Sequence, residues 1–173
     1  MDKERMKMMK RILAVALGLL LAAGVLRAQV VTPHQESAAD LQRNVFGLGF
    51  SGGPATGVGL SFRHHLPSTI SYQINGGIIK VDERMSYSVG AEVQVDLSRS
   101  HTVRFFAAGG ASYFYSGTSS HNEMEGPSRF GLGLGGEFHA GAGVHTTLEL
   151  LFTAFNDGTV LPLPQLGFHY YFR

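Results

Sequence analysis

From Asn44 to the end of the chain, apolar and polar residues alternate with a period of two, the repeat of a strand with one apolar and one polar face. Eight segments carry the pattern. In the first, Val45 to Ser51, Phe46, Leu48 and Phe50 share a face with glycines between them. The second, Thr56 to His65, sets Val58, Leu60, Phe62 and His64 against Ser61, Arg63, His65 and two glycines. The third, Thr69 to Ile79, opposes Ile70, Tyr72, Ile74 and Ile78 to Ser71, Gln73 and Asn75. The fourth is the most regular, with Tyr87, Val89, Ala91, Val93, Val95 and Leu97 against Ser86, Ser88, Gly90, Glu92, Gln94 and Asp96. The fifth (Thr102 to Tyr115), sixth (Ser128 to Ala140) and seventh (Val144 to Ala154) continue it. The eighth, from about Val160, ends with Leu166, Phe168, Tyr170 and Phe172 on one face and Gln165, Gly167, His169 and Tyr171 on the other.

The connections alternate too. Those after the second, fourth and sixth segments are tight, whereas Lys80 to Met85, Ser116 to Pro127 and Asn156 to Thr159 are longer and polar. Only Gly52 to Ala55 is short for its set. An even number of strands with short turns on one rim and longer loops on the other predicts an all-β fold, an eight-stranded antiparallel up-and-down barrel. An apolar last strand would be an open sheet edge in water, so it is expected to pair with the first and close the wall. Pro162 and Pro164 have no N–H to donate, so the outer end of that strand is expected to pair poorly.

Alternation leaves open whether the apolar face points into the barrel or out into lipid. With strands running alternately up and down, Phe46, Phe62, Tyr72, Phe105, Phe138, Tyr170 and Phe172 fall near one rim, and Phe50, Tyr87, Tyr113, Tyr115 and Phe130 near the other. Aliphatic residues lie between. Two aromatic belts around an aliphatic band predict a transmembrane barrel with its apolar face outward. The polar face then lines a bore that eight strands leave only wide enough for side chains to fill. Buried charges there need partners. Arg63, Glu92, Asp96, Arg104, Arg129, Glu137 and Glu149 supply both signs, and Asp96 can face Arg104 across a short turn. Gly131, Gly133 and Gly135 leave room for an inward Phe106. The interior is expected to be a plug rather than a pore.

The N-terminus adds a compartment. Lysines and arginines up to Arg11, an apolar run from Ile12 to Leu26 and a small-residue end at Ala28 read as a secretory signal peptide, residues 1–28, with Gly24 as a rival cleavage position. Residues 29–43 read as a flexible polar lead-in to a barrel over 44–173. Among 173 residues there is no cysteine, which excludes a disulfide framework and a lipid-modified N-terminal cysteine. A net charge of +1 gives no basic excess for nucleic acid.

The signal peptide, the eight alternating segments and the closing Gly167-Phe168-His169-Tyr170-Tyr171-Phe172 resemble the small eight-stranded outer-membrane β-barrels, of the kind seen in the OmpA membrane domain, in OmpX and in the widespread outer membrane protein beta-barrel domain. The resemblance spans Asn44 to Arg173. It implies residence in a Gram-negative-type outer membrane and roles from structural anchoring to adhesion or lipid A modification. It also implies a C-terminal aromatic read by the barrel-assembly machinery, here Phe172 followed by Arg173.

Candidate chemistry is sparse. Barrel-shaped hydrolases of lipid A carry a His-x-Ser pair, which is missing here; Ser119-Ser120-His121-Asn122-Glu123 has suitable residue types but sits in an expected outer loop. His65, His139, His145 and His169 fall on inward positions at the periplasmic rim. They read as polar rim residues, with zinc binding or titration near neutral pH as the alternative. The Ser116 to Pro127 loop is the place for an extracellular partner. The sequence therefore predicts a monomeric, non-enzymatic structural or interaction barrel needing no cofactor. The alternatives are a lipid-modifying enzyme in the same barrel and a soluble exported lipocalin-like binder.

Overall fold

The structure is a computed structural model that describes residues 44–100, 103–118, 121–141 and 143–172. The expected signal peptide, lead-in and Arg173 lie outside the described residues. Eight strands form one closed antiparallel barrel in chain order: β1 (Val45–Gly53), β2 (Gly57–His65), β3 (Ile70–Val81), β4 (Arg84–Arg99), β5 (Val103–Gly117), β6 (Ser128–Gly141), β7 (Val144–Phe155) and β8 (Val160–Phe172). The seam pairs β1 with β8 from Phe46↔Phe172 to Gly52↔Leu166. We call the end bearing Val45 and Phe172 the terminal rim and the opposite end the far rim.

The wall is inside out relative to a water-soluble barrel. Leu60, Ile78 and Phe130 are 67%, 68% and 64% exposed on its outer face, in a band with Val58, Ile74, Val89, Val93, Leu132, Leu134, Leu148 and Leu150. The buried residues are mostly polar or charged, and the buried apolar cluster is small: Ala55, Phe106, Ala108 and Leu151. At the terminal rim Phe46 and Phe62 lie 5.9 Å apart, Phe62 and Tyr72 6.3 Å, and Tyr170 and Phe172 5.1 Å. At the far rim Tyr87 stacks on Tyr115 at 5.0 Å and lies 6.3 Å from Tyr113. Rings at both ends of an aliphatic band suit a hydrocarbon slab between two interfaces.

Two expectations about the strands and their links are corrected. The β3–β4 link is not a loop from Lys80 to Met85 but a two-residue hairpin, Asp82–Glu83, closed by Val81↔Arg84. Asp82 has φ 52°, the left-handed conformation such hairpins require and that Asp tolerates. The outer end of β8 pairs fully with β7, as far as Ala154↔Val160. Tyr171 N–H bonds to Gly143 O on the β7 side, and bonding direction alternates along a strand. Odd-numbered β8 residues therefore face β7, while Pro162 and Pro164 face the side where β1 has already ended. The prolines cost no ladder bond and blunt a free edge. Finally, the β2/β3 ladder, Leu60↔Gly76 to His65↔Ser71, is one pair shorter than the seam.

The short β1–β2 connection has a structural reason. Its tip, Pro54-Ala55-Thr56, turns into the barrel, leaving Ala55 and Thr56 buried. Gly57 (φ 92°) and Gly59 (φ 140°) adopt backbone conformations that other residues rarely take, which lets β2 bend inward. Val58 consequently leaves β3. Its N–H and C=O both bond to the Ser88 hydroxyl on β4, each at 2.9 Å.

Candidate functional site

Period-two alternation aims every second side chain inward, and the antiparallel registers bring these together from all sides of the wall. Arg63 on β2 is fully buried. Its Nε donates to Gln73 Oε1 at 2.7 Å and its Nη1 to Thr147 Oγ1 at 2.7 Å, with Glu137 3.3 Å and Glu149 3.7 Å away. Arg104 on β5 is likewise fully buried. It donates to Asp96 Oδ1 at 2.6 Å, to Glu137 and to Gln94, and lies 4.5 Å over the Phe106 ring. Arg99 also pairs with Asp96. Glu137 is thus shared by two guanidinium groups, and Tyr171 donates a hydroxyl to it at 2.7 Å.

The remaining carboxylates lie deeper toward the far rim. Gln94 Nε2 donates to Glu92 at 2.6 Å, and Gln165 Nε2 to Glu149 at 2.9 Å and to Glu92 at 3.4 Å. Gln165 Oε1 in turn accepts from Ala55 N–H at 3.2 Å and from the Thr56 hydroxyl at 2.9 Å. Asn75 donates to Thr56 O and Ser112 to Pro54 O, so the hairpin tip is bonded to strands on several sides of the barrel.

Of the seven charged residues singled out from the sequence, the structure brings Arg63, Glu92, Asp96, Arg104, Glu137 and Glu149 into this set. Arg129 is a correction. It stands at the far rim, bonded to Gly126 O at 3.1 Å and stacked 4.1 Å over Phe114 and 5.0 Å over Phe155. Two aromatic faces there provide a cation–π site for the guanidinium. Gln73, Gln94, Gln165, Thr147, Tyr171 and the hairpin tip complete the network without having been singled out. The side chains share the inward parity of the charged residues, which was the available signal.

The four histidines divide. His65 is buried, with Ser71 Oγ and Tyr171 Oη each 2.7 Å from its two nitrogens. His169 is buried too, sharing a 2.7 Å hydrogen bond with Ser61 Oγ. Only His139 and His145 reach water at the terminal rim, with 3.1 Å between His139 Nδ1 and His145 Nε2. The reading of all four as solvated rim residues is therefore corrected for His65 and His169.

Among the described residues the serine–histidine hydrogen-bonded pairs are Ser61–His169 and Ser71–His65, and both are buried. His169 Nδ1 has no hydrogen-bond partner, so no carboxylate orients that imidazole as a triad requires. In the far-rim loop, Asn122 is engaged with the backbone of Phe114, Ser116 and Met124, and Glu123 pairs with the exposed Arg84. Ser119 and Ser120 lie outside the described residues. In the closing strand, Phe168, Tyr170 and Phe172 are about half exposed on the outer face, opposite Phe50, Leu48 and Phe46 of β1.

These features define a class: the eight-stranded antiparallel transmembrane β-barrel. The chain has structural likeness to the Yersinia pestis outer membrane protein Ail in a phospholipid bilayer nanodisc, at 14% identity and TM-score 0.44, over 74% of this chain and 97% of that one. The crystal structure of Ail, the attachment invasion locus protein of Yersinia pestis, matches at 14% identity and TM-score 0.34, over 74% and 94%. No protein-family model and no curated protein matches the chain.

Proposed function

We propose that this protein is a small outer-membrane barrel, exported by its signal peptide, with a packed polar interior and a structural or surface-interaction role rather than that of a pore or an enzyme. The observation that carries the reading is the joint occupancy of the interior. Arg63, Arg104 and Glu137 interlock toward the terminal rim, and Ala55 and Thr56 of the tucked hairpin sit on Gln165 toward the far rim. An eight-stranded bore has little room beyond such side chains. The sealed serine–histidine pairs support a non-enzymatic role. The Ser116 to Pro127 loop, tied to β4 through Arg84–Glu123, is the surface offered to an outside partner.

Reconstitution in planar bilayers tests the interior: little or no current is expected, and large, stable single-channel currents overturn the proposal. Cell fractionation tests the location. Recovery in outer membranes with heat-modifiable gel mobility is expected, and recovery in the soluble periplasmic fraction would sink it.

A further inference from the structure

We propose that His139 and His145 form a two-imidazole site for a divalent transition-metal cation at the terminal rim, with Glu137 as the carboxylate that orients His145. The two histidines are direct cross-strand partners in the β6/β7 register, so their side chains leave the sheet on the same face. Their facing nitrogens are 3.1 Å apart. Two metal–nitrogen bonds of about 2.0–2.1 Å at a tetrahedral angle place their donors about 3.3–3.4 Å apart. The spacing is therefore within a few tenths of an ångström of a chelate's, and holding a cation also requires the two rings to turn so that both lone pairs converge on it.

A hydrogen bond between imidazoles occupies the same spacing, so the distance alone does not choose. The surroundings set the tautomer at His145 that cation binding needs. His145 Nδ1 lies 3.1 Å from Glu137 Oε1. Donation of that N–H to the carboxylate leaves Nε2 with its lone pair directed at His139, the arrangement in which metal-bound histidines are held. Glu137 is itself fixed by Arg104, Arg63 and Tyr171, and so stays an outer partner. The Tyr171 ring packs edge-on against His145 at 4.6 Å, restricting its rotamer. His139 is exposed, which gives an aqueous ion access.

Among the described residues no group of three or more His, Cys, Asp or Glu side chains is placed to hold a metal ion together. The site accordingly offers two protein donors, water completes the coordination, and the cation exchanges readily. Imidazole donors select copper, nickel or zinc over magnesium or calcium.

The test uses full-length protein refolded in detergent without an affinity tag and stripped with a chelator. Titration with cupric chloride should show one saturable equivalent per barrel, and its electron paramagnetic resonance spectrum should show coupling to two imidazole nitrogens. His139→Ala should weaken binding at least tenfold and reduce the coupling to one nitrogen, whereas His121→Ala on the far-rim loop should change neither. Unaltered binding in His139→Ala, or a wild-type spectrum lacking two equivalent nitrogens, overturns the proposal. The wild-type spectrum decides the matter even if the variant does not refold.

Discussion

Phe106 and Gly135 offer a direct measure of how tightly the interior is filled. They face each other across the β5/β6 ladder, and a Cβ added at Gly135 would stand 2.6 Å from Phe106 Cζ and 2.6 Å from Glu149 Cγ. Neither neighbour can retreat easily. Phe106 is fully buried beneath Arg104, and the Glu149 carboxylate is held by Gln165. Gly135→Ala should therefore behave as an overpacking substitution and cost about 1–3 kcal/mol. Phe106→Leu removes the outer ring atoms that make the clash, at a cost of its own from lost contacts. In that background Gly135→Ala should cost about 1 kcal/mol less, the remainder reflecting Glu149, because contacting residues couple on this scale. Reversible urea unfolding in lipid vesicles, followed by circular dichroism and by heat-modifiable gel mobility, gives all four corners of the cycle. Equal costs of Gly135→Ala with Phe106 and with Leu at position 106 would refute the argument that the interior is close-packed at this level.

Glu137→Ala should destabilise the barrel by about 3–5 kcal/mol, because it strands Arg63 and Arg104 without their shared partner; urea midpoints against wild type measure it. Arg84→Ala, which removes an exposed ion pair to Glu123, should cost less than about 1 kcal/mol in the same assay. Pro164→Ala should leave unfolding within about 0.5 kcal/mol of wild type, since its nitrogen faces away from β7; a larger loss would show that the β8 outer end is held differently. Gly59→Val should prevent the inward bend of β2, because its Cβ would meet the Gly76 backbone in a strand already at positive φ; failure to acquire folded gel mobility is the readout.

The wall was legible from period two because a barrel repeats one simple rule: each strand has one face for lipid and one for the interior. Val89 to Val95 on β4 display it without exception. Inward charges were legible by parity for the same reason, and Asp96 with Arg104 by the shortness of the turn between them. What parity does not encode is depth. Arg129 shares the inward phase of Glu137 on β6, yet it sits at the far rim, stacked on two phenylalanine faces. Nor does it encode which way a proline's missing N–H points, which depends on the hydrogen-bonding phase against one particular neighbour. The inward hairpin was hidden for a third reason. Gly52 to Ala55 reads as a short turn, and its direction is decided by Gly57 and Gly59 and by distant partners, Asn75, Ser112 and Gln165.

That tucked tip has a consequence for how the barrel is closed. Bonded to β3, β5 and β8, it is enclosed by strands that follow it in the chain. Seating the tip and completing the wall therefore reinforce each other, because Gln165 of β8, the last strand of the chain, bonds the tip while its neighbours from Leu166 to Phe172 pair with Gly52 to Phe46. The first hairpin and the final strand are thus joined twice, once through the ladder and once through the interior.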